Sequence, residues 1–135
     1  MKTINKKYEF TGKTKKLYNR TLKQIRAIRS FSNIAEGTVG GWIEKEENLS
    51  HCGTCWIYDN ALACDGSKVT ENAVVSGNVR VMEEASLFGN ARIGDNARVY
   101  GAAQIYGNAE VRGNAIVCDD AHIYEEAKVC GEAIS

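Results

Sequence analysis

The chain has 135 residues, 44% hydrophobic and 25% charged, with 17 basic and 17 acidic side chains. That is one domain's worth of sequence, too apolar for a disordered polymer and too polar for a bilayer protein. The zero net charge hides a polarised chain. Residues 1–30 carry ten Lys or Arg against Glu9 alone, and residues 31–135 carry seven against sixteen acids, about +9 and −9. An imbalance of this size points to an anionic partner or to self-association.

From the N-terminus, Tyr8–Phe10 reads as a short strand. Thr21–Ser30 fits two patterns, because helical spacing puts Tyr18, Leu22, Ile25 and Ile28 on one stripe opposite Lys16, Arg20, Lys23 and Arg26. Its β-branched content and all-β surroundings favour a strand. Gly37, Gly40 and Gly41 mark a turn before Trp42-Ile43, and Trp42 and Trp56 are expected to plug the open end of the fold that follows. No apolar run approaches the roughly 18 residues of a spanning helix, and no apolar stretch follows the basic start, so neither a membrane segment nor a secretory leader is expected. The five cysteines are an odd number. Reduced thiols and a cytoplasmic location are the corresponding expectation. Cys52-Gly53-Thr54-Cys55 has the spacing of a redox pair or half a zinc site, but the repeat register turns Cys55 inward and Cys52 outward, so no metal or cofactor is assigned.

The remainder is periodic. From Val69 an aliphatic residue recurs every six positions through Val129, with a small residue four positions after each, from Ala73 to Ala133. Ile57 with Ala61, and Ala63 with Ser67, extend the pattern upstream. A six-residue unit is one short strand and a turn, and three such units close one triangular coil. The aliphatic residue fills the prism and the small one fits the corner. Asn at the fourth position and Gly at the third supply turn conformations. The expected fold is all-β, a single-stranded left-handed parallel β-helix of about four coils over residues 57–135, with residues 1–56 as a β-rich basic cap.

Side chains three hexads apart stack in columns on such a prism. Phe88, Tyr106 and Tyr124 form one, read as structural stacking or an oligomer seam, and also shaped as a platform for a base. Met82, Tyr100 and Cys118 form a second, and Arg92, Glu110 and Lys128 a third that reads as an exposed ion ladder. His122 is one rung of Ser86, Gln104 and His122. With His51 in the cap, these two histidines are the available general bases.

The run Val39-Gly40-Gly41-Trp42-Ile43, then Asn48-Leu49-Ser50 and Cys55-Trp56-Ile57-Tyr58-Asp59-Asn60-Ala61, resembles the entry region of YdcK-like hexapeptide-repeat proteins of bacteria and phages. The resemblance implies a β-rich cap feeding a left-handed β-helix, with a transferase label that rests on fold analogy. Homo-oligomers, trimers above all, are the habit of such proteins.

The sequence thus leads to a non-catalytic oligomeric β-helix that binds a phosphorylated small molecule such as a nucleotide. The phage side of the resemblance implies one version of this, a sponge sequestering a nucleotide immune signal. The expected ligand residues are Lys16, Tyr18, Arg20, Lys23, Arg26 and Arg29, whose cations would hold phosphates while a tyrosine stacks on a base. Long nucleic acid fits poorly, because the acidic repeats would repel its backbone. Two alternatives are a structural module whose basic cap docks on acidic repeats ending in Asp119, Asp120, Glu125, Glu126 and Glu132, and an acyltransferase-like enzyme using His122.

Overall fold

The computed structural model describes residues 6–131 and the backbone of 133 and 134. The repeat forms a parallel β-helix whose three faces are sheets of two- and three-residue strands. Strand partners lie one coil apart: Ile57 pairs with Val75, then Ile93, Val111 and Val129. Ala63 pairs with Val81, Val99 and Val117. Val69 pairs with Leu87, Ile105 and Ile123. These first-position residues and the small fifth-position residues are almost all buried, so the hexad rule translates directly into a continuous core. Each buried aliphatic side chain contributes about 1.5–3 kcal/mol.

The helix begins upstream of residue 57 and runs to about five coils rather than four. Trp42-Ile43 pairs in parallel with Leu62-Ala63, and Leu49 bridges Val69. Each of these pairings spans two residues more than the regular coil does, so the entry coil is longer than the others. The two extra residues lie between Leu49 and Trp56, where the chain bends through residues 51–54 before the regular spacing begins. A short 3-10 turn sits just upstream at Glu46–Asn48. Asn48 is buried there. Its Oδ1 accepts the N–H groups of Lys45 (2.9 Å) and Glu44 (3.2 Å), and its Nδ2 donates to the carbonyls of Ser67 (2.9 Å) and Asp65 (3.1 Å). The entry segment Asn48-Leu49-Ser50 is thus stapled to the coil below by one amide.

The turns differ from the sequence expectation in one respect. Every third-position residue from Asp59 to Gly131 has a left-handed backbone, with φ between 57° and 76°. The Asn at the fourth position is not left-handed. At five of the acidic third positions the carboxylate accepts the N–H of the residue one coil later: Asp59 from Gly77 (3.1 Å), Asp65 from Glu83 (3.0 Å), Glu71 from Gly89 (2.7 Å), Glu83 from Gly101 (2.8 Å) and Asp95 from Gly113 (3.0 Å). The hydrogen bond offsets the cost of φ > 0 for a residue with a Cβ.

The cap is a hairpin of β1 (Tyr8–Leu17) and β2 (Arg20–Ala27), followed by β3 (Val39–Ile43). β1 is longer than Tyr8–Phe10, and residues 21–27 are strand, as their β-branched content predicts. The three strands pair antiparallel and then join Leu62-Ala63, giving one eight-stranded sheet that runs from the cap down a face of the prism. Gly40 and Gly41 cross over the end of the prism. A Cβ on Gly40 would lie 2.7 Å from the Trp56 ring, and one on Gly41 would lie 2.6 Å from the Ile57 side chain.

Tyr8, Ile25, Ala27, Phe31 and Ile34 close the end as part of the same core. Trp56 belongs to this group, buried beside Phe31 (5.4 Å between centroids) and Tyr8 (6.4 Å). Trp42 does not plug the end. It pairs next to inward-facing Ile43 and therefore points outward, half-buried against the cluster of Leu22, Leu62 and Cys64.

Candidate ligand faces of the solenoid

The cap cations expected to hold a ligand are spread along the hairpin, and several already have partners within the chain. Arg20 makes a two-point ion pair with Asp65 (2.5 and 3.0 Å). This contact draws the Asp65 carboxyl below its usual range. Arg26 pairs with Glu9. Lys16 donates to the Thr21 hydroxyl (2.7 Å), Lys23 lies over the Phe10 ring (5.2 Å), and Arg29 donates to the carbonyl of Lys6 (3.4 Å). Tyr18 is exposed in the hairpin turn with φ 55°. Arg20 and Arg26 stand six residues apart on one strand, about 20 Å. The acids met by the cap are Asp65 and Glu46, at its own end of the prism. Of the C-terminal acids named above, Glu132 lies outside the described residues.

Lys7 is a cap cation of another kind. It is fully buried, with Nζ donating to the carbonyls of Cys55 (2.8 Å) and Gly53 (3.4 Å) and to Cys55 Sγ (3.3 Å). Burial lowers its pKa and raises that of the Cys55 thiol. Tyr8 stacks on His51 (4.1 Å), and the His51 pKa is lowered by burial. Cys55 and His51 are thus part of the cap's seal, while Cys52 is exposed, as the register predicts. Among the described residues no cysteine is in a disulfide, and no three His, Cys, Asp or Glu are grouped to hold a metal ion.

Each face of the prism offers a different chemistry. On the hairpin face the outward column is Trp42, Leu62, Arg80, Arg98 and Ile116, with Cys64, Met82, Tyr100 and Cys118 beside it. Arg80 and Arg98 are direct register partners, and among the described residues neither forms an ion pair. Lys15 adds a third charge. Its Nζ sits over the Trp42 ring (4.4 Å), and its pKa is lowered first by burial and then by Arg80. Cys64 is buried under the hairpin, which pushes its thiol pKa up to about 12.

The aromatic face carries Phe88, Tyr106 and Tyr124, stacked at 4.8 and 5.4 Å with nearly parallel rings. His122 meets Tyr106 edge-on at 6.3 Å and is exposed.

The third face bears a groove of about 1000 Å³ running along the axis, with Ser32 and Asn33 at its cap end. Its wall is an amide ladder. Thr54 Oγ1 bonds Asn72 (2.8 Å), Asn72 bonds Asn90 (3.4 Å), and Asn90 bonds Asn108 (3.2 Å). Arg92, Glu110 and Lys128 also line it, with Glu110 4.0 Å from Lys128 and, outside the lining, 3.5 Å from Arg112.

With the geometry in view, the relatives are informative. The YdcK beta solenoid repeat family matches residues 91–103 and 103–119, two stretches within these coils. A protein of Escherichia coli (strain K12) named "Uncharacterized acetyltransferase YdcK" is 47% identical over 53 residues. Over these stretches the chain is similar to YdcK-like hexapeptide-repeat proteins. The matched stretch is 38% of this chain and 16% of that relative. The family match lies in the solenoid. No helix among the described residues is long and apolar enough to cross a membrane.

Sequence reasoning missed Arg80 and Arg98 because it read the solenoid as the acidic part of the molecule. The signal was available: Arg80 and Arg98 are three hexads apart at equivalent positions. Two like charges in direct register are visible as soon as the columns are written out.

Proposed function

We propose that this YdcK-like chain is a binding protein for a phosphorylated small molecule held on the hairpin face. The observation that carries the reading is the register pair Arg80–Arg98, with Lys15 close by and no acid paired to either arginine among the described residues. Like charges directly opposed on adjacent strands destabilise a sheet. A phosphate between two guanidinium groups turns that repulsion into several charge-assisted hydrogen bonds. Met82 and Tyr100, two residues beyond Arg80 and Arg98 on the same side of their strands, offer a flat apolar surface for a planar ring such as a base. The cap cations support this indirectly, since Arg20 and Arg26 are already paired with Asp65 and Glu9.

The test is ligand release. The protein is incubated with a nucleotide and metabolite mixture, washed, denatured by heat, and the supernatant is analysed by mass spectrometry. The reading predicts one phosphorylated compound, recovered intact and near stoichiometrically from the native chain and absent from Arg80→Ala/Arg98→Ala. Recovery of none at low salt would overturn it.

A second reading is acyl transfer, favoured by the acetyltransferase name of the YdcK relative and by an exposed His122 beside Tyr106. It predicts turnover of an acyl thioester that His122→Ala abolishes.

A further inference from the structure

We propose that the groove on the third face is a second binding site, for a linear hydroxyl-rich chain, an oligosaccharide, lying along the solenoid axis. The ladder alone is not the argument. Another corner carries the same kind of bond, Asn78 to Asn96 (3.1 Å), as coil-to-coil support. What distinguishes the groove corner is that the cap sends a loop over it. Phe31 and Ile34 bond each other's backbones (2.9 and 2.8 Å), and Phe31 is anchored on Trp56. The tight turn between them projects Ser32, with φ 50°, and Asn33 into the lining. Backbone held at φ > 0 in a residue with a Cβ has a cost, and the surrounding contacts fix it there. The groove is therefore bounded at its cap end.

The lining chemistry selects the ligand. Arg92 and Lys128 face Asp59, Glu110 and Glu126, so the charges nearly cancel and a polyphosphate has no preference for this groove over the hairpin face. The remaining polar groups are amides and hydroxyls. After its ladder bonds each Asn keeps an N–H for a ligand, and Asn90 and Asn108 keep one acceptor lone pair each, whereas Thr54 occupies both of Asn72's. Such groups bond vicinal hydroxyls, and the lining also holds Tyr58, an aromatic side chain of the kind that packs on the C–H face of a sugar. The spacing adds direction. Asn72, Asn90 and Asn108 recur once per coil, about 4.8 Å apart, so a polymer laid along the axis meets the same amide donor at each step.

The test is a titration of the full chain, isotopically labelled for amide NMR, with cellohexaose, chitohexaose and maltohexaose. At least one should shift amide resonances confined to residues 54–60, 72–76, 90–94 and 108–112 and the 31–34 turn. Asn33→Ala, which lies outside the coils and leaves their ladder intact, should weaken that binding at least five-fold without changing the rest of the spectrum. Arg80→Ala/Arg98→Ala should leave it unchanged, which separates this site from the phosphate face. Absence of shifts with all three sugars, shifts on another face, or unaltered binding in Asn33→Ala would overturn the proposal.

Discussion

The cap and the coils are built by opposite strategies. In the coils one rule repeats: an aliphatic residue inward, a small residue at the corner, a left-handed third position. Each contact resembles one a coil away. In the cap no contact is repeated. Lys7 is held by the carbonyls of Gly53 and Cys55, Tyr8 lies between His51 and Trp56 with its hydroxyl donating to Leu49 (2.6 Å), and Asn48 ties four backbone groups together. Redundancy makes the coils tolerant, whereas the cap depends on single side chains. In a solenoid, where each coil is stabilised by its neighbours, the cap protects the first of them.

This contrast can be broken by substitution, beginning with the largest expected effect. Trp56→Ala should destabilise by about 4 kcal/mol in denaturant unfolding, since it empties the seal between Phe31 and Tyr8. Trp56→Phe should cost markedly less, because the indole N–H is buried without a partner among the described residues and no hydrogen bond is lost. Val99→Ala in a middle coil should cost about 2 kcal/mol, the ordinary value for a buried branched residue, and less than the cap substitution. If the two proved equal, the cap would be no more critical than any coil.

Smaller effects sharpen the account of the turns. Asp95→Ala should cost about 1 kcal/mol by removing the hydrogen bond to Gly113 at a left-handed residue, and Asp95→Gly less, because glycine keeps the conformation at low cost. The smallest effect is the Arg20–Asp65 pair. The Asp65 carboxyl is held below its unfolded value by Arg20, so its contribution is fully present above about pH 4 and is lost as pH falls through the folded value. The pair is partly exposed, which limits Asp65→Asn to about 0.3 kcal/mol at neutral pH, with a flatter acid limb in stability against pH.

The coils were legible in the sequence because their information is redundant: Val69 through Val129 state the same rule repeatedly. The Phe88–Tyr106–Tyr124 stack followed from it by counting three hexads. The left-handed acidic turns did not, since Asp and Glu are poor indicators of φ > 0 and the stabilising N–H comes from a coil away. The start of the helix was also hidden. Trp42-Ile43 and Leu49 pair with residues beyond the regular coil spacing, out of phase with the hexads. The cap cations read as one ligand cluster because sequence shows their density and hides their partners, Glu9 and Asp65.

The most direct test of the central claim compares two double variants in the ligand-release experiment. Arg80→Ala/Arg98→Ala removes the cations of the hairpin face, and Arg26→Ala/Arg29→Ala removes two of the cap. The account predicts that the bound phosphorylated compound disappears from the first and is retained at native yield by the second. Retention in the first with loss from the second would contradict it and return the ligand to the cap.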